Sequence, residues 1–185
     1  MQDRVKLSAR LENISVFILG LFLLVFPIAV VSFTTDAYVI PKQAILTVVA
    51  IAGVVLIGAK SLLNQSVRIR RTPFDLPIAL FGLAAFLSAL FAVNRYDSLI
   101  SFVPLLFAIL LFFLITNSVK RHQDYLFLTG SLIVGSIAVS VITLLSYLKI
   151  YPLPFEFAKN QTFTPFGSLF DQAIYLFLVL SVALY

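Results

Sequence analysis

The sequence predicts an all-α fold, a polytopic transmembrane helix bundle of about six spans, and three observations carry that prediction. Of 185 residues, 61 % are hydrophobic and 11 % charged, where a soluble domain has roughly a quarter of its residues charged. The mean hydropathy is +1.08. The charges gather in short segments between apolar runs, and a span needs about 20 apolar residues to cross about 30 Å of hydrocarbon. Residues 1–185 read as a single transmembrane helical domain.

The expected spans are 13–35, 43–63, 76–94, 98–119, 125–148 and 169–185. The first carries Pro27, whose missing N–H and bulky ring predict a kink about one turn earlier. Leu7, Leu11 and Ile14 recur at helical spacing beside Arg4, Lys6 and Arg10, the pattern of a short interfacial helix ahead of that span. Pro41 suits the first turn of the second span, where spare N–H groups are expected anyway. Asp75, just before Leu76 and Pro77, has the placement of an N-cap for the third. The third and fifth spans hold the small residues. Ala85 with Ala89, and Ser131 with Gly135, have the spacing that lets helices approach closely in lipid, which places both spans in the bundle interior. The fourth, rich in bulky side chains, is expected to face lipid. The sixth is short, and the chain is expected to be the amino-terminal part of a longer protein.

Basic residues divide unevenly between alternate connections. Arg4, Lys6, Arg10, Lys60, Arg68, Arg70, Arg71, Lys120 and Arg121 fall on one side, and Lys42, Arg95, Lys149 and Lys159 on the other. The positive-inside rule assigns the first group and the amino terminus to the cytoplasm. Arg68, Arg70 and Arg71 suit acidic lipid headgroups, although a topology signal needs only their charge. The net charge of +5 is thereby explained by membrane orientation, with no nucleic-acid partner implied. Cysteine is absent, which excludes disulfides and thiolate metal sites. His122, the single histidine, stands beside Lys120 and Arg121 as a loop residue without an assigned role. No phosphate-binding loop, dinucleotide fingerprint, zinc signature or nucleophile elbow is present, so neither a metal nor a cofactor is expected.

The longest interruption of the apolar pattern runs from Leu148 to Asp171. Loops of about twenty residues are usually functional or disordered, and this one is too apolar for disorder. Its aromatic residues Tyr151, Phe155, Phe157, Phe163, Phe166 and Phe170 suit either a lipid or sugar groove or an interfacial belt. Asp171, an ionisable residue at the head of a span, points to a polar cavity or partner, or simply to a helix N-terminal acid. Lys42, Arg95, Lys159 and Asp171 are the candidate substrate-binding residues on this face, because interfacial cations hold phosphate or pyrophosphate groups well.

Three stretches carry a family resemblance: TTDAYVIPKQAIL, with Pro41 and Lys42; TPFDLPIALFGLAAFLSALFAVNRYDSL, with Pro73, Asp75, Asn94, Arg95, Ser98 and Leu99; and TPFGSLFDQAIYLFLVLSVAL, with Gly167, Ser168, Ala173, Tyr175 and Leu176. Together they resemble the amino-terminal half of the bacterial O-antigen ligase and O-antigen polymerase superfamily. Phe170, Asp171 and Gln172 depart from it, standing where the family has an asparagine and proline core. The resemblance implies a glycan ligase or polymerase at the outer face of the inner membrane. Its partners would be an undecaprenyl-pyrophosphate-linked glycan, a lipid, glycan or protein acceptor, and membrane lipids. The family's catalytic arginines and histidine have no counterpart in this sequence, so the catalytic residues are unknown. The competing expectation is a transporter or lipid-handling membrane protein without covalent chemistry. A topology reporter fused after Lys159 should read as non-cytoplasmic; a cytoplasmic signal would invert the orientation.

Overall fold

The computed structural model describes residues 2–64 and 70–184. The described residues form no strand and hold six α-helices, in the order α1 (Gln2–Val25), α2 (Val39–Asn64), α3 (Asp75–Leu90), α4 (Arg95–Ser118), α5 (His122–Tyr147) and α6 (Leu169–Ala183). One 3₁₀ turn, Glu156–Ala158, interrupts the long connection before α6. Four helices contain stretches long and apolar enough to cross a membrane: Leu7–Val25, Val39–Leu63, Arg95–Ser118 and His122–Tyr147. The protein is thus an all-helical membrane protein. Helices α3 and α6, of 16 and 15 residues, rise only about 24 and 22 Å, less than the hydrocarbon thickness. Arg68 and Tyr185 lie outside the described residues.

Several boundaries differ from expectation for local reasons. Pro27 does not kink a continuing span. Helix α1 stops at Val25, and a turn follows in which Phe26, Ile28 and Ala29 donate to Phe22 O, Val25 O and Val25 O at 2.8, 3.1 and 3.0 Å. The leading residues are not a separate interfacial helix but the start of α1, which runs unbroken from Gln2. Asp75 is the first residue of α3 and not its cap; its carboxylate turns back to accept the Thr72 N–H at 2.9 Å, while Phe74 takes the cap position. In α4 the cap is Asn94, whose side chain accepts from the Asp97 N–H at 3.4 Å, and whose amide donates to the Asp97 carboxylate. Among the described residues Arg95 makes no ion pair with Asp97.

Two compact units emerge. The first comprises residues 1–18 and 46–120. In it α3 and α4 pack as a helical hairpin, with Gly82 against Ile109 and the Phe86 and Phe102 rings 5.4 Å apart. Gly53 of α2 receives the Leu114 side chain of α4. At one end the Glu12 carboxylate bridges two ammonium groups, Lys60 at 3.2 Å and Lys120 at 2.8 Å. Nearby, Arg70 donates to Val119 O at 3.2 Å, a cation placed where the α4 dipole favours it.

The second unit comprises residues 19–45 and 121–185. Its core is the small face of α5, with Gly135, Ser136, Val139 and Ser146 buried. Gly135 lies so close to α1 that an added Cβ would stand 3.0 Å from both Leu23 O and Leu24 O. Helix α5 closes in a left-handed cap: Lys149 has φ +63°, its N–H reaches Ser146 O at 3.0 Å, and Ile150 N–H reaches Leu145 O at 2.9 Å. This is the two-bond arrangement that usually recruits glycine.

The small residues of α3 and α5 therefore serve differently. Gly135 makes the close helix approach its spacing predicts, whereas Ala84 and Ser88 are exposed and Ala85 borders an open groove. Only Gly82 and Ala89 are buried on α3, so α3 is not an interior helix. We predict that Gly135→Ala destabilises the protein by about 1–3 kcal/mol, because backbone oxygens cannot move aside. Gly58→Ala, with no neighbour within 4 Å, should be neutral or stabilise by up to about 1 kcal/mol. Thermal unfolding of the two variants in detergent measures the contrast.

Candidate functional site

The candidate site lies in the second unit, where the 26–38 connection, the first turn of α2 and the long 148–168 connection meet. Asp36 organises the approach to α2. Its Oδ1 accepts the N–H groups of Tyr38 and Val39, both at 2.9 Å. These two bonds, Val39 first, hold the carboxyl below the usual aspartate range, with a further contribution from the Lys42 charge. A lowered carboxylate pKa means that its stabilisation is complete above about pH 4, the unfolded value. It fades as pH falls through the lower folded value.

Lys42 follows one turn into α2 and points back into this corner. Its ammonium donates to three carbonyl oxygens, Pro165 at 2.6 Å, Ala29 at 3.1 Å and Tyr38 at 3.2 Å. An ammonium has three N–H donors, so all are engaged. The Phe166 ring lies below, its centroid 5.2 Å from Nζ, within cation–π range. No carboxylate forms a salt bridge with Lys42 among the described residues. The charge is met by carbonyl dipoles and an aromatic face.

The long connection is packed and not draped. Ala158, Phe163, Thr164 and Pro165 are buried. Tyr38 meets Phe157 edge-on at 5.8 Å and Phe163 at 6.4 Å, while Phe155 stacks on Phe157 at 5.4 Å. Most of the loop aromatics thus pack on one another and on Tyr38; Tyr151 and Phe170 alone of the six are exposed. At the far end Gly167 has φ +79° and lies against the Tyr38 ring, where a Cβ would come within 3.1 Å. Glycine is needed there both for the left-handed backbone and for the close approach.

A second fastening involves Gln172 in the first turn of α6. Its Oε1 accepts hydroxyl hydrogens from Thr143 of α5, at 2.8 Å, and from buried Thr164 of the loop. Thr164 Oγ1 in turn accepts the Phe166 N–H at 3.2 Å. Ser168 caps α6, accepting from Phe170 N–H at 3.2 Å. The Tyr175 ring lies 4.8 Å from that of Phe166 between centroids, and its hydroxyl is buried without a hydrogen-bond partner among the described residues.

Of the four candidate binding residues, Lys42 alone is engaged by neighbouring groups. Lys159 on the long connection and Asp171 in the first turn of α6 are exposed in the same unit, and Arg95 is exposed in the other. None of these three has a side-chain partner among the described residues. The residues that fix the loop, Tyr38, Thr143, Thr164 and Gln172, carry no motif that marks them as ligands or anchors; the visible signal in the sequence is Gln172, a polar amide opening an apolar run. The described residues contain no group of acidic or histidine side chains able to hold a metal ion. No family model matches the chain, and neither a curated protein nor a solved structure matches it.

Replacing Lys42 by methionine keeps the stem and strips three carbonyl oxygens of their donor. We expect destabilisation of about 1.5–3 kcal/mol, the range for a charge-assisted hydrogen-bonding group, read as a lowered unfolding temperature in detergent. Arginine at this position should not restore it fully, since a planar fork cannot reproduce three convergent bonds.

Proposed function

We propose that this chain forms part of a membrane-embedded glycan ligase or polymerase that takes a glycan from an undecaprenyl-pyrophosphate carrier. The acceptor would be a lipid, a glycan or a protein, at the outer face of a bacterial inner membrane. One observation supports the reading most: two of the three stretches that resemble the O-antigen ligase and polymerase superfamily, 123 residues apart at Lys42 and Pro165, converge on one corner. Lys42 of the first holds Pro165 at the head of the second, and Tyr38 of the first underlies Gly167 of the second.

The chemistry requires little beyond what such a corner can offer. An acceptor oxygen or nitrogen attacks the anomeric carbon, the glycosyl C–O bond breaks, and undecaprenyl pyrophosphate departs with the bonding electrons. The acceptor's proton leaves to a base that no residue of this chain is assigned to be. Cations near the departing diphosphate stabilise its growing charge, and orientation of the acceptor contributes the rest. Exposed Lys159 is available for that task. Lys42 would serve by exchanging its longest carbonyl bond, to Tyr38, for a phosphate oxygen, which is the stronger acceptor. Asp171 stands ready to bind or orient an acceptor hydroxyl.

Deleting the encoding gene in its host should raise the pool of carrier-linked glycan and abolish its transfer, as measured by mass spectrometry of extracted lipids. Complementation with Lys159→Gln should lower transfer severalfold at unchanged membrane insertion. An unchanged carrier-linked pool after deletion would overturn the reading in favour of a transporter or lipid-handling protein. Full transfer by Lys159→Gln would remove that residue from it.

A further inference from the structure

We propose that the Tyr175 hydroxyl is a second donor of the Lys42 corner, and that the phenol and the ammonium, which meet at the Phe166 ring, together take the oxygens of one diphosphate group. The choice of a diphosphate rests on the carrier-linked donor proposed above. The pairing of the two donors rests on the geometry of α6 and the long connection.

Among the described residues the Tyr175 hydroxyl is the one buried side-chain polar atom without a hydrogen-bond partner. Its neighbours on the same face of α6 are satisfied. One turn earlier, Gln172 Oε1 accepts from Thr143 and Thr164, and Thr164 Oγ1 accepts the Phe166 N–H. A buried hydroxyl without a partner is costly, and phenylalanine would fill nearly the same space without that cost. An unpaired buried group of this kind calls for an occupant from outside the chain.

Lys42 sets the charge of that occupant. The Phe166 ring lies against both groups, its centroid 4.8 Å from that of the Tyr175 ring and 5.2 Å from Lys42 Nζ. A phenol both donates and accepts, but close to an ammonium an anionic oxygen is the favoured partner, and bonds to ionised acceptors are roughly twice as strong as neutral ones. Asp36, the acid of the same corner, forms no salt bridge with Lys42, and its Oδ1 is engaged by the Tyr38 and Val39 N–H groups. A diphosphate carries its charge on two phosphorus centres. One can replace the Tyr38 carbonyl on Lys42, the longest of its three bonds at 3.2 Å, while the other accepts from Tyr175. Phe166 is half-buried, and its ring is the cover: swung outward, it bares ammonium and phenol together and leaves the bonds of Thr164 and Pro165 in place.

The full chain in phosphatidylcholine nanodiscs should bind the group in two separate arms, inorganic pyrophosphate in the buffer and undecaprenyl pyrophosphate in the disc. Each is read as a concentration-dependent rise in unfolding temperature. A response to both identifies the diphosphate itself as the ligand; a response to the lipid alone identifies a membrane-borne source, and to pyrophosphate alone a soluble one. Tyr175→Phe should weaken binding about tenfold, the loss expected for one hydrogen bond to a charged acceptor. Without ligand, its unfolding temperature should equal or exceed that of the wild-type protein, because the hydroxyl it removes has no partner in the protein. No response of the wild-type protein in either arm overturns the proposal. Undiminished binding by Tyr175→Phe, or a lowered unfolding temperature of that variant without ligand, overturns it as well. Neither glycan nor acceptor is present, so these outcomes are separate from those of the gene deletion.

Discussion

The Lys42 ammonium is the constraint from which the second unit is built. Near hydrocarbon, backbone carbonyls outside a helix must find donors within the protein, and the two irregular connections of this unit contain many such groups. A single cation meets three of them at once, from Ala29, Tyr38 and Pro165. A carboxylate at this position would repel the same carbonyls, and a hydroxyl could donate to only one. The charge thus allows α1 to end at Val25, α2 to begin at Val39 and the long connection to fold down between them. The cation is held by dipoles and forms no salt bridge, although the Asp36 carboxylate of the same corner is close enough to feel its charge.

The first unit uses charge in a different way. Glu12 joins α1, α2 and the end of α4 through Lys60 and Lys120, two cations on one carboxylate. Desolvation of such pairs offsets much of their attraction, but removal of the carboxylate would leave two ammonium groups facing each other. The helical hairpin of α3 and α4 depends less on charge: it is held by Gly82, Ala89 and aromatic contact, and it leaves much of α3 uncovered.

The helical class was legible from composition alone, because long apolar runs permit little else in a membrane. Where helices end was only partly legible. Pro27 marked a disturbance, but whether a proline kinks or terminates a span depends on what receives the chain afterwards, here the turn 26–29 and the loop to Tyr38. Small-residue spacing was equally ambiguous. Ser131 with Gly135 and Ala85 with Ala89 look alike in sequence, yet close approach to a neighbouring backbone is made by Gly135, and spacing names no partner. Lys42 was recognisable as unusual, but its acceptors at Ala29 and Pro165 lie 13 and 123 residues away, beyond any local rule. The loop aromatics misled in the same way: apolar side chains within a long connection are as suited to packing under it as to lining a groove, and burial beside Tyr38 decided the matter.

Thr164 and Pro165 are neighbours in the chain, and each carries one of the loop's two fastenings, the first to Gln172 and the second to Lys42. Adjacent peptide units move together, so lifting this stretch of backbone breaks both bonds, although rotation of the Thr164 side chain alone releases the first. The connection accordingly behaves as a hinged plate with one clasp and not as a string tied at two points. Raising the whole plate costs both bonds together.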